Sequence, residues 1–139
     1  MIRQTFYMDR YDWTVYAYYA VDDYYTDEIV ELLYDVGCRG NDLVSAEKNL
    51  SSGNLDTGLT YSNFSTHETV MVIAITSSAL EFAKSWRHEM GHLGDHISQT
   101  YGLDPHGEEI QYIGDDIVGK MWKVAKKFLC ESCRSKNNL

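Results

Sequence analysis

The sequence is nearly without proline: one residue in 139. It carries only three cysteines, at 38, 130 and 133, which cannot all pair within one chain, so the pattern excludes a disulfide scaffold. Basic residues are scarce, 12 Lys and Arg against 21 Asp and Glu, for a formal charge of −9. That balance argues against a protein whose main task is to wrap a phosphate backbone. The longest apolar run, Val70–Ile75, is far shorter than a membrane span. The opening MIRQTFYMDRYDW lacks the unbroken apolar stretch of a secretory signal, so a cytoplasmic location is expected. There is neither an internal repeat nor a low-complexity linker, and the length suits one domain, residues 1–139.

What the chain does have is tyrosine, eleven in all, eight of them before residue 37. Ile2–Met8 and Trp13–Val21 read as strands of a hairpin, which accounts for those tyrosines as strand residues with one wet face. Thr26 caps a helix whose stripe is Ile29, Leu32, Leu33 and Val36, with Gly37 as its stop. A short helix is expected over 41–49, and the polar stretch 50–66 reads as loop or hairpin. Thr69–Thr76 is continuous, apolar and β-branched, a strand buried on both faces or covered by a helix. Ser78-Ala-Leu-Glu81 is a capping box opening a helix with Phe82, Trp86, Leu93 and Ile97 inward, ended by Gly102. Asp104-Pro105 reads as the start of a second long helix through Phe128, and the residues from Cys130 onward as a frayed tail. The lone Cys130-x-x-Cys133 belongs to that tail; a zinc ribbon would need a second pair.

One motif carries chemistry. His88-Glu89-Met90-Gly91-His92 is H-E-x-x-H inside a helical pattern. Side chains four apart share a helical face, so both imidazoles can bind one Zn²⁺, while Glu89 stands beside the metal-bound water as its base. Five histidines and nine glutamates placed at random produce this spacing in roughly one such chain in a hundred. A third ligand is required. Glycine and histidine at 95 and 98 would extend the motif to a metzincin, but Asp95 and Ser98 stand there. Glu108 and Glu109 open the next helical pattern, and a helical hairpin would return that turn toward His92. His96, four after His92, is a rival. Asp95, Asp115 and Asp116 are candidate acceptors for a ligating imidazole's second N–H, Asp115 first among them. His106 and Tyr112 are the candidate donors toward a developing oxyanion.

His88-Glu-x-x-His92 followed by Glu108 resembles the gluzincin group of zinc metallopeptidases in minimal form. HEMGHLGDHI with GEEIQYIGDDI, within about 54–117, resembles small zincin-like proteins encoded by phages and prophages of gut bacteria. The resemblance implies Glu108 rather than Glu109 as third ligand, since a glutamate four before a tyrosine recurs there, matching Glu108 and Tyr112. Gln111 departs from the small residue common at its position. The resemblance further implies a zinc-dependent peptidase acting on a peptide or protein, with an extended substrate added to the 69–76 strand. Its alternatives are a catalytically inactive zincin-fold structural or binding protein and a repressor-cleaving protease of the ImmA/IrrE type. The expected architecture is α+β: a small, mostly antiparallel sheet packed on the H-E-x-x-H helix and a second long helix.

The acidity is uneven: −6 over residues 1–36, −8 over 37–119 and +5 over 120–139. A nucleic-acid or acidic contact, if any, belongs to the last twenty residues.

Overall fold

The computed structural model describes all residues 1–139. The fold is α+β, with a four-stranded mixed sheet between two helical layers. The strands are β1 (Ile2–Met8), β2 (Trp13–Val21), β3 (Gly58–Asn63) and β4 (Glu68–Ala74), in spatial order β1-β2-β4-β3. β1–β2 and β3–β4 are antiparallel hairpins, as an alternating aromatic pattern with short turns favours. β2–β4 is parallel, running Thr14 opposite Glu68 to Tyr19 opposite Ile73. Parallel pairing needs a crossover, and helices α1 (Thr26–Asp35) and α2 (Gly40–Ser52) lie within that connection.

Both faces of the sheet are therefore covered. On one, Ile29 and Leu33 of α1 and Leu50 of α2 pack on Tyr18, Val70 and Val72. On the other, α3 (Ala79–Thr100) and α4 (Glu108–Ala125) bury Phe82, Trp86, Leu93, Ile97, Ile113 and Ile117 against Trp13, Val15, Met71 and Ile73. β4 is central and buried on both faces, which is why its sequence is apolar without alternation.

α3 starts where the capping box places it: the Ser78 hydroxyl accepts the Glu81 N–H at 3.1 Å. It ends at Thr100, before Gly102 at φ +62°. α4 begins three residues later than Asp104 suggests, with Gly107 in place of Asp104 at the cap position. Asp104 spends its carboxylate on the His106 N–H and its carbonyl on the Gly107 N–H, each at 2.9 Å, so it closes a turn rather than capping the helix. Nor do the last residues fray. α5 (Glu131–Lys136) docks on the start of α3: Glu131 Oε1 accepts the Ala79 N–H at 2.6 Å, and the buried Arg134 guanidinium donates to the Thr76 carbonyl at 3.1 Å. Cys130 and Cys133 are joined by a disulfide within this segment. No helix is long and apolar enough to cross a membrane.

Candidate metal centre

A helix repeats every 3.6 residues, so His88, His92 and His96 climb one flank of α3. That flank faces solvent beside β3, one of the two edge strands of the sheet. The Nε2 atoms of His88 and His92 stand 3.2 Å apart and both side chains are exposed. Two nitrogens on one tetrahedral zinc, each about 2.0–2.1 Å from it, are separated by about 3.3 Å. The spacing matches that of two ligands on one zinc, and equally that of a hydrogen bond between the two rings.

Glu89 does not share their exposure. It is 2% exposed and turned under β3, where Thr57 Oγ1 donates to Oε2 at 2.6 Å and Thr60 Oγ1 donates to Oε1 at 2.7 Å. Charge-assisted bonds of this length are strong and offset the burial of a carboxylate. Gly58 makes the close approach feasible: at φ +155°, an added Cβ would lie 1.8 Å from the Val72 carbonyl oxygen and 3.2 Å from Glu89 Cγ.

His96 is tied inward instead of toward the pair. Its Nδ1 lies 2.6 Å from Ser62 Oγ, its ring packs 5.3 Å from Phe64, and its centroid is 6.5 Å from that of His92. Behind Ser62 a chain continues to Thr69 Oγ1 at 2.7 Å and to the Trp13 indole N–H at 2.7 Å. The indole can only donate, so Thr69 accepts there. For the buried Thr69 hydroxyl to find an acceptor it must donate to Ser62 Oγ, and the Ser62 O–H is then directed at Nδ1. His96 is left neutral with its proton on Nε2. Burial holds its pKa below the ordinary imidazole value, a smaller attraction from Asp95 works the other way, and His92 adds to the depression. A protonated Nε2 is a donor and does not ligate a metal.

The structure does not bring Glu108 to the pair. α4 packs against the Gly94 side of α3, where Gly94 faces Ile113 and Ile117. Gly94 is two residues from His92, which places it about 200° around the helix. Glu108 is exposed in the first turn of α4, and no group of three His, Cys, Asp or Glu side chains is placed to hold a metal ion. Glu109 is committed elsewhere: its Oε1 accepts from the Tyr11 hydroxyl and pairs with Arg10, each at 3.1 Å. Tyr112 lies beneath the Arg10 guanidinium, 5.8 Å from its centroid, and His106 is exposed in the turn before α4. Asp95 accepts from Gln99 at 2.7 Å and, with Asp115, borders a groove between α3 and α4; Asp116 lies half-buried on α4.

β4 is paired on both sides, so the 69–76 segment offers no free edge for strand addition; β3 does. Sequence reasoning also missed Thr57, Thr60, Ser62 and Thr69, the hydroxyl partners of Glu89 and His96. A signal existed. Gly58, Thr60 and Ser62 recur at a two-residue period, the alternation of a half-buried strand, with small polar residues facing inward. Compared with protein-family profiles, curated proteins and solved structures, the chain matches none.

Proposed function

We propose that the chain is a zinc-binding protein of the zincin type, with peptide hydrolysis as its activity. His88 and His92 are the metal pair, and Glu89 is the base. The observation that carries the reading is the 3.2 Å separation of the two Nε2 atoms on an H-E-x-x-H helix. Zinc held there would acidify a water molecule and polarise a peptide carbonyl.

The residues fit the metal in part. Two imidazoles and a neighbouring carboxylate fit, but the third protein ligand of a closed zincin set is not assembled, so no step here is assigned to Glu108. Glu89 can take a proton only if a threonine hydroxyl gives up its place on the carboxylate to water. The free edge of β3 beside the histidines supports an extended peptide substrate, held by main-chain hydrogen bonds.

The enclosure of Glu89 favours one other reading: a metal-binding or structural module in which that carboxylate only ties α3 to β3. Zinc content of the purified chain, measured with His88→Ala as control, tests the metal. Full zinc in the alanine variant defeats it. Glu89→Gln then separates the two readings, because only the enzyme loses peptide cleavage while keeping its zinc.

A further inference from the structure

We propose that the outer face of the α3–α4 hairpin is the interface of a two-fold homodimer. The two helices run antiparallel, aligned by the Trp86 indole N–H on Met121 Sδ at one level and by Gly94 against Ile113 and Ile117 at another. Between them on the solvent side lies a groove of about 520 Å³. Its floor is notched. At Gly91 on α3 and Gly114 on α4 an added Cβ would meet nothing within 4 Å. Glycine inside a helix is destabilising, and nothing within this chain needs it at either position. Beside the notch α4 presents Val118 and Trp122, 38% and 50% exposed, on the same face as Gly114.

The occupant is a second copy because the charges on this face complement themselves. Arg87 stands at one end of the groove, and Asp95 and Asp115 stand about 12 Å along it. A two-fold axis across the hairpin at the level of Gly91 sets Arg87 against the partner's Asp95 and the partner's Asp115. The same operation sets Trp122 over the partner's Gly114, an aromatic knob on a glycine notch. An isologous contact must be self-complementary in this way, in charge and in shape together. About fifteen residues of each helix, about 22 Å by 20 Å, give a pair burying about 900 Å², the size of a weak, reversible association.

Sedimentation velocity on the full chain from about 1 to 200 µM tests the proposal. A concentration-dependent monomer–dimer equilibrium is expected, with a micromolar dissociation constant. Gly114→Leu, which fills the notch in a position open to a side chain, is expected to weaken dimerisation at least tenfold while circular dichroism shows the fold retained. Arg87→Glu weakens it as well, and Arg87→Glu combined with Asp115→Arg restores it. A chain that stays monomeric at 200 µM overturns the proposal. So does a dimer indifferent to Gly114→Leu.

Discussion

Ser62 Oγ stands 2.6 Å from Nδ1 of His96 and 2.7 Å from Thr69 Oγ1, so it links the histidine of α3 to the hydroxyl of β4. Burial, the larger influence on His96, keeps the folded imidazole below the ordinary value of 6.5. As pH falls below about 6.5, the unfolded chain takes up a proton that the folded chain refuses. The contribution of His96 to stability is therefore fully present above that value and is lost below it. Urea midpoints measured from pH 7.5 to 5.5 should fall more steeply for the native chain than for His96→Gln. Coincident slopes would show that His96 titrates normally.

Glu89 holds two threonine hydroxyls, one on each carboxylate oxygen. Glu89→Ala leaves both half-buried donors without their acceptor and opens a void under β3, and is expected to cost about 3 kcal/mol. Glu89→Gln keeps the volume and an acceptor, and a threonine hydroxyl can turn to accept from its amide, so its cost is about 1 kcal/mol. Chemical denaturation of the three proteins measures the difference. Equal losses for Ala and Gln would mean that charge, not hydrogen-bond satisfaction, governs the site.

Gly58→Ala should be among the most damaging single substitutions in the chain. Its Cβ would collide with the Val72 backbone oxygen in a φ that side chains rarely adopt. A loss above about 3 kcal/mol is expected, visible in the melting temperature. Gly119→Ala is the contrast, because an added Cβ there meets nothing within 4 Å. In mid-helix it is expected to gain about 0.5–1 kcal/mol.

Zinc binding by the native chain should be lost, by more than tenfold in affinity, on either His88→Ala or His92→Ala. Glu108→Ala should leave it unchanged, since α4 packs on the opposite flank of α3. Isothermal titration with zinc distinguishes the three variants. A comparable loss from Glu108→Ala would mean that the first turn of α4 is drawn across when metal binds.

Local chemistry was legible in the sequence wherever it decides local structure. The Ser78 cap, the Gly102 stop, the β1–β2 hairpin and the histidine pair on α3 all follow from spacing and residue type. Glu108 was not legible in the same way. A hairpin of two helices returns the chain toward α3 but does not say onto which of its flanks, and that choice is made by Gly94 receiving Ile113 and Ile117. The parallel β2–β4 pairing was hidden for a related reason, because it depends on where the α1–α2 crossover lands. β3 itself was written in polar, turn-like residues. Those same residues serve as hydroxyl donors to α3, which left an inward strand face reading as either loop or hairpin.

The crossover also places a long loop closure on the path to the folded sheet. β4 inserts between a strand made near the start of the chain and β3, and Val15 must find Thr69 across both α1 and α2. Such loop closure is slow and is rewarded only when complete. Trp13 reports that moment, because its indole reaches Thr69 only after β4 is seated. A nascent chain released before α3 has emerged would hold the sheet's inner face bare, with Met71 and Ile73 uncovered. The histidine helix is thus also the lid that the sheet awaits.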